Sequence, residues 1–144
     1  MTAETAVRTP WEAYSEGVPM HLTYPDCAMV DMVAQSARKT PDLCAYTFYS
    51  TKVSFKVFME QIQACARALV AMGIHPGDKV TICMPNTPQA VVMFYAINYM
   101  GGIANMVHPL SAQEEIAFYL KESGSVAALT LRQFYPKFQA IRSK

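Results

Sequence analysis

The sequence has 144 residues, enough for one domain with its own core. Its 12 basic and 11 acidic side chains leave a net charge of +1, which gives no electrostatic reason to expect nucleic acid or an anionic membrane as partner. Charged residues make up 16% and apolar residues 52%, against roughly 25% charged in a typical soluble domain, so the folded chain is predicted to expose apolar faces that something else covers.

In chain order, residues 1–25 are predicted to form an extended N-terminal arm, broken by Pro10, Pro19 and Pro25 and pinned by Trp11 and Tyr14. Residues 26–144 read as one α/β unit with no internal repeat or linker. Asp26 is positioned to cap a helix to about Lys39 with Met29, Met32 and Val33 on its apolar face, and Thr40-Pro41-Asp42 ends it. Cys44 to Tyr49 and Lys52 to Ser54 read as a hairpin turning at Ser50-Thr51. Phe55, Phe58, Met59, Ile62, Cys65, Ala66, Leu69 and Met72 form one stripe of a long helix, stopped by Gly73 at the C′ position with Pro76 beyond.

A βαβαβα pattern follows. Lys79 to Met84 reads as a buried strand, and Thr87 with Pro88 opens a helix to Met100. That helix is apolar nearly all round, which predicts burial on most sides. Gly101-Gly102 releases a strand from Ile103 to Val107. Ser111 and Glu114 form a predicted capping box for a helix to about Ser123. Gly124 turns into a strand from Val126 to Leu131, and Phe134, Phe138 and Ile141 mark a last helix. Such alternation with short links implies a three-layer α/β subdomain: a parallel sheet with helices on its faces.

The usual chemistry of such folds is missing from the pattern. There is no GxGxxG and no GxxxxGK[ST], which argues against a small nucleotide-binding domain. Gly101-Gly102 follows a helix and precedes a strand, the reverse of the order a phosphate loop needs, and reads as a helix stop. His21, His75 and His108 lack metal-binding spacing, and no metal site is expected. Glu114-Glu115 suits the start of a helix, and Ser111 has no placed base to activate it. No catalytic residue is assigned. His108, at the end of a parallel strand, stands where such folds place ligands. Cys27, Cys44, Cys65 and Cys83 have no CxxC spacing and read as reduced, mostly core thiols of a cytosolic protein. Residues 1–26 lack a signal-peptide core, and the longest apolar run, Ala90 to Ile97, is too short to span a bilayer.

Four strings in order carry a resemblance. Val53-Ser54-Phe55 is similar to a "TYxEL" opening. Met72-Gly73-Ile74-His75-Pro76-Gly77-Asp78-Lys79-Val80 resembles "LGVxxGDxV". Met84-Pro85-Asn86-Thr87-Pro88-Gln89 resembles "LPNSPE", and Tyr99-Met100-Gly101-Gly102-Ile103 resembles "xxAGAV" with glycine replacing alanine. Together they resemble the opening part of the adenylate-forming superfamily, the AMP-forming acyl-CoA synthetases and their relatives. Pro10-Trp11, Glu16-Gly17-Val18-Pro19 and Tyr24-Pro25-Asp26 resemble the lead-in of the long-chain fatty-acid:CoA ligases, as does the Phe134-Tyr135-Pro136-Lys137-Phe138 run.

The resemblance implies the N-terminal portion of a ligase that joins a fatty acid to CoA at the expense of ATP, releasing AMP and pyrophosphate. ATP, Mg2+ and CoA are implied for the full-length enzyme. The family's phosphate loop, ribose-binding Asp and mobile lysine lie downstream of the matched region, so this chain is expected to be inactive alone. Its partners would be the rest of the enzyme, with fatty acid and CoA as substrates. The enzyme would be cytoplasmic, able to sit at a membrane surface. The resemblance also puts the loop Val107-His108-Pro109-Leu110 near the CoA entrance, which makes His108, Pro109 and Leu110 candidates for the CoA path, although the long-chain branch usually has Asn where His108 stands. The alternative is a stand-alone, non-enzymatic interaction module on the same fold. Either way, uncovered apolar surface predicts self-association.

Overall fold

The computed structural model describes residues 17–19 and 21–142; Trp11, Tyr14 and most of the arm lie outside them. The described residues form α1 (Met29–Lys39), β1 (Cys44–Phe48), β2 (Thr51–Ser54), α2 (Phe55–Ala71), β3 (Lys79–Cys83), α3 (Pro88–Tyr99), β4 (Ile103–Met106), α4 (Gln113–Ser123), β5 (Ala127–Thr130) and α5 (Tyr135–Arg142). A 3-10 turn at Arg132–Phe134 leads into α5. Strands β3, β4 and β5 form a parallel sheet in the order β4-β3-β5, and β1 and β2 form a separate antiparallel hairpin.

The central strand shows why the sheet has two covered faces. Val80 and Ile82 join the core beneath α1, α2 and α3. Cys83 joins a second cluster with Val107 and Ile116, against which Leu120, Phe138 and Ile141 pack from α4 and α5. Alternate residues of a strand point to opposite sides, so β3 feeds both layers and the three-layer expectation holds. Phe58 ties the hairpin to the first layer: its ring meets Tyr46 edge-on at 5.4 Å and Tyr95 at 5.7 Å.

Several local readings need correction. Helix α1 begins after Ala28, not at Asp26, and it is Asp31 that accepts a 2.9 Å bond from the Ala28 amide. The Asn98 side chain, from α3, accepts a second amide at this end, that of Val30. The buried face is Val30 and Val33, whereas Met29 and Met32 are 55% and 57% exposed. The helix phase is set by packing on α2 and α3, which a run of apolar residues on both sides could not reveal. Met72 drops out of the α2 stripe and lies exposed, because the helix ends at Ala71.

Helix α4 likewise starts one residue late. Ala112 takes the cap position and Glu115, not Glu114, accepts its amide at 3.2 Å, so Ser111 is no cap. Helix α3 buries Ala90, Ala96 and Ile97, while Val91 and Tyr99 are exposed. It is therefore less buried than its composition predicted. Of the four cysteines, Cys83 is buried and Cys65 half-buried, but Cys27 and Cys44 are exposed, and all four are free. Among the described residues no helix is long and apolar enough to cross a membrane.

Thr87 accepts the Ala90 amide and Pro88 opens α3 as expected. The glycine pair that ends this helix does two different jobs. Gly101 sits at φ +81°, a turn conformation that L side chains rarely adopt. Gly102 is ordinary in φ but allows close packing: a Cβ there would fall 3.0 Å from the Ile97 Cγ2 and 3.2 Å from the Asp78 carbonyl.

Candidate functional site

The carboxyl ends of β3, β4 and β5 lie side by side, which is where open parallel sheets place ligands. Three features build this edge. Thr130, at the end of β5, donates from Oγ1 to the Cys83 carbonyl at 3.0 Å. The Val107 amide continues the β4 ladder by donating to the Ile82 carbonyl. The chain then crosses from β4 to α4 through His108, Pro109, Leu110 and Ser111.

The structure brings the three predicted residues together in this loop. His108 is exposed, and its Nδ1 accepts the Leu110 amide at 3.3 Å. Pro109 is buried, and Leu110 is 72% exposed. The Ser111 amide closes a turn on the His108 carbonyl. Beneath, Lys137 on α5 donates from Nζ to the Ser111 carbonyl at 2.7 Å and to the Pro109 carbonyl at 3.4 Å. The same ammonium lies 5.9 Å from the centre of the Phe134 ring, within cation–π range. In the sequence Lys137 stands only in the Phe134–Phe138 run, and Phe134 only marks the last helix. No local signal connects them to a loop 26 residues earlier.

A part-buried polar layer lies further along the sheet. Asn105 Nδ2 donates to Thr81 Oγ1 at 2.9 Å and to Ser123 Oγ at 3.0 Å, and Ser125 Oγ pairs with both hydroxyls. Each side chain has a partner and no buried polar atom among them is left unpaired, so the layer fixes β4 against β3 and α4. Thr81 is fully buried at its centre.

Two of the thiols, Cys83 at this edge and Cys65 on α2, are shielded by burial. Burial pushes the Cys65 pKa up. Burial also raises that of Cys83, while the nearby Lys137 charge works in the opposite direction. Both are held as neutral thiols at neutral pH. A separate apolar groove of about 530 Å³ opens between the hairpin and helices α2 and α3, lined by Tyr46, Phe48, Cys65, Val92, Met93 and Leu129 among others.

A metal ion needs several converging ligands, and a phosphate loop needs free backbone amides at a helix start. No three His, Cys, Asp or Glu side chains come together among them. Gly101 and Gly102 are used by the chain reversal and by packing on Ile97, and they form no anion cradle. For the ATP and Mg2+ that the resemblance implies, the described residues offer neither a three-ligand metal cluster nor a glycine cradle.

A parallel α/β layer with its loops gathered at the carboxyl edge, built on these four strings, defines a class. The sequence matches the AMP-binding enzyme family over residues 33–143, and the chain belongs to that family. It is 31% identical to a long-chain-fatty-acid–CoA ligase of Bacillus subtilis (strain 168) over 136 residues, 94% of this chain and 24% of that protein. It is 33% identical to a long-chain-fatty-acid–CoA ligase of Mycobacterium tuberculosis over 115 residues, 78% of this chain and 23% of that protein. Its fold superposes on a Mycobacterium tuberculosis fatty acyl CoA synthetase with a TM-score of 0.77 at 29% identity, covering 81% of this chain and 24% of the other. The chain thus spans about a quarter of the length of the curated relatives it matches.

Proposed function

We propose that this chain is the N-terminal part of an AMP-forming long-chain fatty-acid:CoA ligase, a scaffold that is inactive alone. The observation that carries the proposal is the family match over residues 33–143 combined with coverage of only about a quarter of the ligases it resembles. In this reading residues 1–25 are the arm and 26–144 an incomplete subdomain. The complete enzyme would form an acyl-adenylate from ATP and fatty acid with Mg2+, and CoA would then displace AMP. The residues holding ATP and metal would come from the rest of the enzyme. His108, Pro109 and Leu110 would flank the CoA path, and the enzyme would be cytoplasmic or peripheral to a membrane.

The test is direct. The 144-residue chain, given ATP, Mg2+, CoA and palmitate, is expected to show no pyrophosphate exchange and no thioester. Turnover by the pure chain would overturn the proposal of inactivity. Reading the coding sequence beyond Lys144 tests the rest: an open frame running into a Ser/Thr/Gly-rich loop supports the ligase part, and a stop codon there favours the second reading.

That second reading, a stand-alone interaction module, draws on the exposed apolar side chains. Ile103 and Met106 lie uncovered on the edge strand β4, and Phe118 on α4 is 60% exposed. Unpaired strand edges and apolar patches favour association. Both readings therefore expect the isolated chain to self-associate at high concentration. Sedimentation as a clean monomer at hundreds of micromolar would contradict this.

A further inference from the structure

We infer that Lys137 is a positioning residue for the Val107–Ala112 loop: its ammonium, bonded to the Ser111 and Pro109 carbonyls, fixes the shape in which that loop presents His108 and Leu110. The functional half of this inference rests on the reading of the loop as part of the CoA path.

The ends of the loop are held by the Val107 amide on the Ile82 carbonyl and the Ala112 amide on Glu115, and the Cys83 thiol reaches the His108 carbonyl at 3.9 Å; none of these bonds holds the Pro109–Ser111 stretch. The loop's internal bonds are the turn from the Ser111 amide to the His108 carbonyl and the Leu110 amide on His108 Nδ1. Pro109 has no amide to donate. Lys137 supplies two bonds from a charged donor, the stronger kind, at the two carbonyls that flank Leu110.

The anchor is itself fixed. Phe138 and Ile141, next to Lys137 on α5, pack against the Cys83, Val107 and Ile116 cluster, and the Phe134 ring lies beside the ammonium. Lys137 is therefore fixed relative to the sheet, and so are the carbonyls it holds. Nor is this lysine absorbed by an acid: the ion pair found among the described residues is between His75 and Asp78. A partly buried ammonium with carbonyl partners is aimed at backbone shape, and its positive charge remains next to a loop that would meet a phosphate-bearing thiol.

The test has two arms. In the 144-residue chain, hydrogen exchange at the Ser111 and Ala112 amides is expected to quicken about tenfold in Lys137→Met, with β3 amides unchanged, and to stay near the parent rate in Lys137→Arg. In the complete ligase, the same Met variant is expected to raise KM for CoA about five- to tenfold, leaving KM for ATP and for fatty acid within about twofold. Unchanged loop exchange in both Lys137→Met and Lys137→Ala overturns the inference, as does a rise spread over β3, which would make Lys137 a general stability residue. Faster loop exchange with an unchanged KM for CoA supports the tether and removes the loop from the CoA path.

Discussion

Ile82→Ala is expected to lower the unfolding free energy of this chain by about 2–5 kcal/mol, the range for removing most of a buried aliphatic side chain. Ile82 is fully buried on the middle strand of the sheet, opposite Met106 on β4 and Leu129 on β5. Its side chain belongs to the larger core that joins the sheet to α1, α2 and α3. Strands on both sides and helices above leave the site no easy way to collapse, which puts the cost toward the upper part of the range. Urea unfolding should show a lower midpoint with an unchanged slope. A loss under about 1 kcal/mol would mean that the cavity refills and that β3 is less central than its burial indicates.

Gly102→Ala is expected to destabilise by about 1–3 kcal/mol through overpacking. The new methyl would meet the Ile97 Cγ2 at 3.0 Å, the Asp78 carbonyl at 3.2 Å and the Ile97 carbonyl at 3.3 Å. Two of these three contacts are backbone oxygens already in use: Ile97 accepts the Gly102 amide and Asp78 accepts the Ile103 amide, each at 2.8 Å. They cannot retreat without loosening the start of β4. Gly101→Ala acts by a different route, the positive φ of the turn, at a cost of about 1 kcal/mol with its closest contact a Pro76 Cβ at 3.3 Å. Comparing the two variants in the same denaturant series tests the division of labour. A neutral Gly102→Ala would contradict it.

The elements themselves were legible because their signals are local. Thr87-Pro88 opens α3 and Gly124 closes α4 in the left-handed conformation, as composition alone predicts. The parallel sheet followed from short strands alternating with helices, and the family followed from four strings in order. The exact helix starts were less legible. Asp26 and Ser111 are each a good cap by residue type, yet Asp31 and Glu115 accept the first amides instead. Neighbouring polar residues compete for a cap, and the choice depends on where packing starts the helix.

The candidate site divides the same way. The position of His108, Pro109 and Leu110 after β4 was readable, because the strand and the next helix bracket them. What holds them was not, because Lys137 reaches back from α5 and no sequence period marks that reach. Asn98, 68 residues from Val30 along the chain, accepts an amide at the start of α1 for the same unseen reason. The low charge content established that apolar surface would be left over, but not where. Helix α3 is apolar nearly all round, so its pattern has little phase, and the choice to bury Ala90, Ala96 and Ile97 while exposing Val91 is made by contact with α2 and the sheet. The sequence by itself determined the order of elements, the parallel sheet and the family, since those rest on local bonding preferences and short spacings. Only the tertiary structure decided which faces are buried, which polar groups pair and what anchors the β4–α4 loop, since those depend on groups brought together from distant parts of the chain.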